Sequence, residues 1–373
     1  MKCEVEFLPV GEGEKGGDAI VIRYGDEDAY NLMVVDGGNL DSGEQMVAHI
    51  RREFPTKYEI EHVVLTHADA DHASGLRKLF GEFYIHHLWM HVPWLLAVEA
   101  KGLFKDKDIS DDDLSDNVKK EYDILSELWD LAVANGTQIH HPFEGADIGP
   151  FKVLSPTRFA YLHLLPQFEK TPEPDQELLT QRNMWLGKSM VQNIFAKLFD
   201  SKLFESLTWV AESHEYETLR DGQRTSASNE SSVVLYGDFG NHRILLTGDA
   251  GENALHWACD AAEQKGLALQ TFTFVQIPHH GSRHNVGPTI LNRLIGGIVP
   301  RGAQTTFSAF ASVPKDDSKH PRKIVLNAFT RRGGRVSTTK EGKRVYWGGF
   351  AARPNYVSIT PIPLSAQVEG YDD

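Results

Sequence analysis

Apolar residues recur along the chain in short runs, several of which alternate with polar residues as half-buried strands do. These runs predict strands at 4–8, 19–24, 31–36, 61–66, 151–154, 231–236, 242–247 and 272–277. A helical pattern covers 45–53, and the segment 334–347 is expected to form a β-hairpin. Polar residues follow several strands at their carboxyl ends, where α/β proteins place their functional sites. The pattern therefore favours an α/β fold.

Two segments interrupt the strand pattern and are expected to be insertions. Residues 97–134 have an acidic, helical pattern with three consecutive aspartates at 111–113, and residues 157–228 contain a Pro-Glu-Pro loop followed by helical patterns. Because strands resume after each segment, we expect one domain over 1–373 that carries both insertions. The acidic insertion is large enough to bind a protein partner, and nothing in the pattern specifies the oligomeric state.

Composition limits the location of the protein. The chain has no apolar run near the ~20 residues of a membrane helix, and acidic residues stand at its start, where a signal peptide needs an apolar run. We therefore expect a soluble, cytoplasmic protein with no membrane contact. Two cysteines far apart in sequence, Cys3 and Cys259, are expected to be reduced and buried.

The net charge of the chain bears on which molecules it can bind. The formal charge of −14 disfavours nonspecific adhesion to nucleic acid, which depends on many Lys and Arg contacts to phosphate. Residues 315–344 nevertheless contain ten Lys or Arg against three Asp or Glu. That stretch is compatible with a face for a phosphate-bearing substrate, or simply with a solvated helix and hairpin.

The strongest chemical pattern is His67-Ala-Asp-Ala-Asp-His72, which directly follows an apolar strand. Imidazole and carboxylate hold Zn or Mn while leaving positions open for water and substrate. An extended turn lets His67 and Asp69 face one metal, and Asp71 and His72 a second. The competing interpretation is a polar helix N-terminus with capping aspartates. We favour the metal site because two further segments with ligand-type residues follow in order.

Each of these later segments stands at the end of a predicted strand. The Thr-Gly-Asp sequence that ends at Asp249 places a carboxylate where one is wanted to bridge two metals. The His-His-Gly-Ser sequence at 279–282 supplies a further imidazole from His279 or His280. Taken alone, this second segment could equally consist of surface histidines.

Together these segments resemble the metallo-β-lactamase superfamily, and within it the hydrolase domain of the competence protein ComEC and its stand-alone relatives. The same resemblance is carried by Val10-Gly11, Gly17-Asp18-Ala19, Val35-Asp36-Gly37-Gly38 and the segments 66–76, 153–156, 229–235, 320–321 and 334–342. It implies a four-layer αββα metallo-β-lactamase sandwich with helical insertions.

The resemblance also implies roles for the individual ligands. His67 and Asp69 face the first metal, and Asp71 and His72 hold the second. The second metal also takes one of the pair at 279–280, with His280 favoured because it directly precedes Gly-Ser.

By the same resemblance, Asp249 bridges the two metals, and Asp36 orients a ligand from behind. The chain departs from the commonest family form, which has His where this chain has Asp69. The usual third histidine of the first site would fall near 155–157, where the sequence has Ser-Pro-Thr. The first site is therefore expected to be oxygen-rich and the weaker of the two.

The favoured function is that of a two-metal-dependent phosphodiesterase or nuclease acting on DNA, RNA or a nucleotide. Two divalent ions are implied, with zinc expected first and manganese as the alternative. Asp71 is the candidate to orient the attacking water and accept its proton. His320 is the candidate to contact substrate phosphate or act as an acid, although it could equally be an exposed loop histidine.

Two other functions stay open. The same centre could hydrolyse an ester, a lactone or an amide. The chain could instead be a metal-containing binding or sensor subunit without turnover. The complete set of ligand residues argues against a binding subunit, because an inactive relative is expected to have lost some of Asp71, Asp249 or His280.

Overall fold

The computed structural model describes residues 1–13, 16–185, 208–354, 356 and 358–371. The strands in these residues are β1 Lys2–Phe7, β2 Ala19–Gly25, β3 Tyr30–Gly37, β4 Glu59–Val64, β5 Tyr84–Trp89, β6 Gln138–His140, β7 Asp147–Ile148, β8 Phe151–Ser155, β9 Trp209–Ala211, β10 Val234–Asp238, β11 Arg243–Leu246, β12 Phe274–Gln276, β13 Phe307–Ala311, β14 Gly334–Thr338, β15 Arg344–Gly348 and β16 Gln367–Glu369.

The α-helices in the same residues alternate with the strands. They are α1 Leu40–Glu53, α2 Ala70–Ala73, α3 Arg77–Phe80, α4 Pro93–Glu99, α5 Asp111–Glu121, α6 Asp123–Asn135, α7 Arg158–Leu164, α8 Gln176–Trp185, α9 Ala227–Glu230, α10 Glu252–Gln264, α11 Pro288–Ile295 and α12 Lys323–Arg331. Single 3₁₀ turns occur between them, including one at His279–Gly281. Among the described helices, none is both long and apolar enough to cross a membrane.

Two seven-stranded sheets form the body of the fold. The first has the order β15-β1-β2-β3-β4-β5-β6 and the second the order β14-β13-β12-β11-β10-β8-β7, while β9 and β16 form a separate pair. Strands β3 to β6 run parallel, as do β11 to β14. Parallel strands present their carboxyl ends at one edge of a sheet, so each sheet has one edge suited to a functional site.

Apolar side chains form three layers that hold these sheets between helices. The layer between the sheets includes Phe7, whose ring centroid lies 5.6 Å from that of Phe274 and 5.9 Å from that of Phe310. A second layer lies on the outer face of the first sheet with α1, and a third lies on the second sheet with α10, α11 and α12. The expected four-layer αββα arrangement is confirmed.

The predicted strands occur close to their expected positions, but the hairpin expected at 334–347 is wrong. Strand β14 pairs with β13 at the edge of the second sheet, and β15 pairs with β1 at the edge of the first. A 3₁₀ turn at Thr339–Glu341 connects them. The alternating pattern predicted two strands correctly, but alternation does not encode which partner a strand takes.

The first expected insertion contributes to the apolar core. Leu114 and Val118 of α5 and Leu125 and Leu128 of α6 are buried in the layer outside the first sheet. The second expected insertion comprises α7, α8, β9 and α9, and its residues 186–207 lie outside the described part of the chain. The single-domain organisation with two insertions stays a prediction.

Two of the ten basic residues in the stretch 315–344 are buried and paired. Arg331 is fully buried and pairs with Glu212 at 2.8 Å. Arg332 is buried beside it and pairs with Glu217 at 2.7 Å. Both charges are neutralised inside the protein, so neither is available to a phosphate at the surface.

A buried acidic pair lies on β1. Arg353 contacts the carboxylates of both Glu4 and Glu6, and His49 Nε2 lies 3.0 Å from Glu6 Oε2. Burial and the neighbouring Glu6 raise the pKa of Glu4 from an ordinary value of 4.5 to about 7, against the opposing effect of Arg353. Strand β1 therefore carries one carboxyl group that resists ionisation.

We expect the stability of Glu4→Gln, measured relative to that of wild type, to increase as pH rises from 5 to 8. The raised pKa means that the folded protein holds the Glu4 proton more tightly than the unfolded chain does. This contribution to stability is fully present below pH 4.5 and lost as pH rises through about 7. The shift corresponds to at most about 3 kcal/mol, and thermal melts of both proteins at pH 5 and pH 8 measure it.

Glu53→Gln provides the control, because Glu53 contacts the same arginine at 3.0 Å but its pKa is lowered. Its stability difference from wild type is expected to stay constant between pH 6 and pH 8. A constant difference for Glu4→Gln over pH 5–8 would contradict the prediction.

Candidate metal centre

The candidate ligands lie where the carboxyl ends of strands from both sheets meet. In the first sheet, β4 ends at Val64, and the His-Ala-Asp-Ala-Asp-His segment follows it into the short helix α2. In the second sheet, Asp249 follows β11, and the turn with His279 and His280 follows β12. Each sheet therefore contributes part of the site.

Asp249 lies at the middle of this arrangement and is almost completely buried. Its Oδ2 atom lies 3.4 Å from His72 Nε2, 3.7 Å from His279 Nε2 and 3.8 Å from His67 Nε2. His67 Nε2 is in turn 3.6 Å from Asp69 Oδ2. A central carboxylate surrounded by imidazoles is the geometry expected of a bridging ligand.

The predicted ligands fall into overlapping groups whose ligand atoms lie within 4.8 Å of one another. One group is His67, His72 and Asp249, a second is Asp71, His72 and His280, and a third is Asp249, His279 and His280. Asp69 joins the first group through its contact with His67. The structure thus brings together all seven residues that the sequence proposed as ligands.

Hydrogen bonds fix the orientation of the first two imidazoles. Asp36 Oδ2 accepts from Thr66 Oγ1 at 2.6 Å and lies 2.7 Å from His72 Nδ1, so His72 donates through Nδ1. Thr66 Oγ1 has given its hydrogen to Asp36, so at 3.0 Å it accepts from His67 Nδ1. In the neutral form of each ring, these hydrogen bonds therefore leave the lone pair on Nε2, the atom that faces Asp249.

The second histidine pair is oriented in the same way. His280 Nδ1 donates to the carbonyl of Ser312 at 2.8 Å. His279 Nδ1 lies 2.9 Å from Asn285 Oδ1, which accepts because the amide nitrogen of Asn285 donates to the Asp249 carbonyl. Nε2 is again the nitrogen left for a ligand role in both rings.

The backbone at this site is strained. Among the described non-glycine residues, four have positive φ, and three of these belong to the centre: Asp36 at 56°, His279 at 46° and His280 at 58°. Left-handed backbone at non-glycine residues costs of order 1–3 kcal/mol each and concentrates at functional sites. Packing and hydrogen bonding elsewhere must offset this cost.

Three buried polar atoms of the centre have no hydrogen-bond partner among the described residues. They are His67 Nε2, His72 Nε2 and Asp249 Oδ1. Such atoms are costly to bury unless a partner satisfies them. Their donor types and their convergence fit a divalent metal, which imidazole nitrogen and carboxylate oxygen both bind.

The electrostatics of the centre favour a cation. Burial alone raises the pKa of Asp249, but His279 and His72 outweigh it and hold that pKa well below its usual range. Burial likewise opposes ionisation of Asp69, yet His67 and Ser228 lower its pKa. Burial lowers the pKa of His72, but Asp249 and Asp36 raise it well above its ordinary value. Ionised carboxylates thus create a site that stabilises positive charge.

His320 lies beside the centre. Its ring stacks on that of His279 with 6.0 Å between centroids, and its Nδ1 lies 3.0 Å from the buried carboxylate of Asp317. Burial is the main cause that lowers the pKa of His320 to about 4, against the opposing effect of Asp317. The free imidazole is therefore neutral at pH 7, with Nε2 left for a substrate.

Ser155 belongs to the segment 155–157, near which the resemblance places the family's third histidine. Its side chain is completely buried, and its Oγ has no hydrogen-bond partner among the described residues. His140 lies elsewhere, stacked on Trp89 with centroids 4.4 Å apart. No other described histidine takes the missing place in the ligand groups.

Sequence reasoning missed several residues that support the ligands. Ser228 Oγ donates to Asp69 Oδ1 at 2.6 Å, and Asp317 Oδ2 lies 3.0 Å from His320 Nδ1. Asp317 could have been found from its spacing of three residues before His320. The contact between Ser228 and Asp69 spans 159 residues and had no local signal.

Part of the chain matches a known protein family. Residues 13–145 match the family model described as the metallo-beta-lactamase superfamily. The chain contains a metallo-β-lactamase superfamily domain. The matched part includes the segment from His67 to His72, whereas Asp249, His279 and His280 follow after it. No curated protein matches the chain in sequence.

Several solved structures resemble the chain over most of its length at low identity. YhfI from Bacillus subtilis, a metallo-beta-lactamase fold protein, is 11% identical, with 93% of this chain and 100% of that chain covered and a TM-score of 0.42. Unliganded yeast PDE1 is 12% identical, with coverage of 93% and 99% and a TM-score of 0.42. A long form RNase Z from yeast is 10% identical, with coverage of 98% and 40% and a TM-score of 0.35. Likenesses of this size do not bear on substrate.

We expect purified protein to bind up to two divalent ions per chain. Binding to the native state alone should also raise the melting temperature in the presence of Zn²⁺ or Mn²⁺. Asp249→Ala and Asp71→Ala are expected to lower the metal content sharply, as measured by elemental analysis. Asp147→Ala, which changes an exposed aspartate of β7 that pairs with Lys152, should leave the metal content unchanged. Wild-type protein that holds no transition metal after any reconstitution would contradict this expectation.

Proposed function

We propose that this protein is a two-metal-dependent hydrolase that cleaves a phosphodiester in DNA, RNA or a nucleotide. One observation carries the proposal. Seven ligand-type side chains from two sheets, with Asp249 at their middle, lie together, and three of their buried atoms lack partners among the described residues. A merely structural cluster would be expected to satisfy its buried polar atoms internally.

In this proposal His67, Asp69 and Asp249 hold the first metal. Asp71, His72, His280 and Asp249 hold the second, and His279 is a further ligand candidate beside Asp249. Two bound divalent ions lower the pKa of water towards neutrality and offset charge on phosphate oxygens. Zinc suits the imidazoles, while manganese suits the oxygen-rich first site.

The protein's own residues then have distinct tasks. Asp71 orients the attacking water and accepts its proton. Asp36 and Thr66 fix the tautomers of His72 and His67 through the hydrogen bonds described above. His320, held through Nδ1 by Asp317, presents Nε2 to the substrate. Because a nearby phosphate anion raises the pKa of an imidazole, His320 is able to take up a proton and deliver it to the leaving oxygen.

Three features support a phosphodiester over other hydrolysable bonds. Asp69 replaces the family's commoner histidine, as in the ComEC-like hydrolases that the segment resembles. The first site is therefore rich in oxygen ligands, which suit metals that also bind phosphate oxygen. His320 adds a proton donor beside the centre.

Charge argues for a short contact with the substrate. The protein carries a formal charge of −14, and Arg331 and Arg332 are neutralised by buried glutamates. Long tracking along a duplex needs many exposed cations. A strand end, a single strand or a small nucleotide fits this surface better.

A protein partner at the acidic insertion remains part of the proposal. The aspartates at 111–113 are exposed at the start of α5, where Ser110 caps the helix by accepting from the Asp113 amide. A basic partner surface is the complement of this segment.

Asp71→Asn is expected to abolish turnover while leaving the fold intact. The substitution keeps the size of the side chain and removes the charge that holds metal and water, and losing one such interaction costs ~10²-fold or more in rate. Steady-state kinetics measure the loss, and circular dichroism checks the fold. Asp116→Asn, an exposed aspartate of α5, is the matched control and should retain full activity. Wild-type turnover by Asp71→Asn would remove Asp71 from the mechanism.

We expect Mn- or Zn-loaded protein to hydrolyse a chromogenic phosphodiester and single-stranded nucleic acid in preference to a lactone. Affinity for nucleic acid should depend only weakly on salt, with a log–log slope of about −0.7 to −0.9 per phosphate contacted. Cleavage of the lactone alone would establish the ester-hydrolase alternative. Cleavage of no substrate by metal-loaded protein would favour a binding subunit.

A further inference from the structure

The metal centre consists of two halves that belong to different sheets. His67, Asp71 and His72 follow β4 of the first sheet, whereas Asp249 and His280 follow strands of the second. The distance of 3.4 Å between His72 Nε2 and Asp249 Oδ2 therefore depends on how the two sheets are held at this edge. Apolar packing between the sheets fixes their spacing in the core, and directional polar contacts at this edge can then fix the separation of the halves.

The side-chain oxygen of Gln276 bonds to the half of the metal centre that belongs to the second sheet. It is the last residue of β12 and is 1% exposed. Its Oε1 atom accepts from the backbone nitrogen of Thr247 at 2.9 Å and of Gly248 at 3.1 Å. These two residues directly precede Asp249, so the side chain of Gln276 fixes the backbone that presents the central carboxylate.

The amide nitrogen of Gln276 bonds to the half of the centre that belongs to the first sheet. Gln276 Nε2 donates at 2.7 Å to Oδ2 of Asp18, which directly precedes β2 of the first sheet and is buried. The same Oδ2 atom lies 3.9 Å from His72 Nδ1. Asp18 therefore lies behind His72, beside the Asp36 carboxylate that orients this ring.

The backbone next to Asp18 is packed against the ligand segment itself. Gly17 adopts a φ of +57°, and a Cβ atom there would lie only 1.8 Å from the carbonyl oxygen of Asp71. A side chain at residue 17 is thus excluded by the segment that carries Asp71 and His72. Movement of Asp18 would displace that segment too.

We propose that Gln276 is a positioning residue that holds the two halves of the metal centre at the separation required for two ions. This proposal rests on the proposed two-metal function. A side-chain amide meets the requirements of the site without a charge of its own, because one oxygen must accept two N–H groups while a donor must face a buried carboxylate. A carboxylate at this position would face Asp18 with like charge, and an apolar side chain would leave three polar groups unsatisfied.

An exchange of functional groups tests the proposal. Gln276→Glu is expected to weaken Co²⁺ and Mn²⁺ binding at least about 10-fold in titration calorimetry, the range seen when groups that orient ligands are removed. The double variant Asp18→Asn/Gln276→Glu restores one amide and one carboxylate with the original total charge. The amide introduced at position 18 can donate to the carboxylate introduced at position 276, so the metal affinity of the double variant should return close to that of wild type.

Asn327→Asp is the matched control. Asn327 is also 1% exposed, and its amide donates to Glu212 at 2.7 Å and to the Ser365 carbonyl at 2.9 Å, while its oxygen accepts from the Ser365 amide at 2.8 Å. It lies on α12 and does not connect the two halves. Asn327→Asp should lower the melting temperature and leave metal affinity unchanged, which separates positioning from general destabilisation.

Wild-type metal affinity in Gln276→Glu would overturn the proposal, as would a double variant that binds metal no better than the single one. If Gln276→Glu fails to fold, the test uses Gln276→Met, whose side chain is uncharged and similar in size. The same loss of metal affinity is expected. If wild-type protein binds no divalent ion, the proposed function fails. Crystal structures of the metal-free wild type and variants then test the positioning role of Gln276 separately. The distance between His72 Nε2 and Asp249 Oδ2 should widen in Gln276→Glu and return in the double variant, and an unchanged distance would reject the role of Gln276.

Discussion

The buried carboxylate of Asp249 imposes the constraint on which the rest of this structure depends. A desolvated charge is costly unless opposite charge and hydrogen bonds surround it. No single strand end can supply that many partners, so imidazoles from both sheets converge on it. Behind each imidazole lies an acceptor, such as Asp36 or the Ser312 carbonyl, that fixes which nitrogen faces inward. The carboxyl-end edge is therefore polar and strained, whereas the three apolar layers supply the cohesion.

Much of the fold and of the candidate ligand set could be predicted because both leave local patterns. A continuous apolar run predicted β3, a pair of apolar segments around a Gly-Asp-Phe-Gly-Asn turn predicted β10 and β11, and ligand residues cluster directly after strands. Long-range hydrogen bonds leave no such pattern: Gln276 and Asp18 are 258 residues apart and meet only in the folded protein. The failed hairpin has the same cause, since β14 and β15 look like neighbours in sequence yet belong to different sheets.

Charge counts along the sequence were also a poor guide. The sequence left open whether the basic stretch is a face for phosphate or a solvated helix and hairpin, and Arg331 and Arg332 are instead buried against glutamates more than a hundred residues earlier in the chain. A count of charges does not record which of them are already paired inside the protein. By contrast, His320 could be placed beside the centre because the family resemblance carries it, and the buried Asp317 explains how its ring is held.

The position of β15 has a consequence for how the protein is made. Strand β1 pairs with β2 on one side but with β15 on the other, and these partners are separated by most of the chain. At synthesis rates of about 5–20 residues per second, β15 is synthesised on the order of tens of seconds after β1. An unpaired edge strand invites aggregation, and inward-facing charge is one means by which proteins prevent it. Glu4 and Glu6 place such charge on β1, and Arg353, which contacts both carboxylates in the folded protein, is synthesised only after β15.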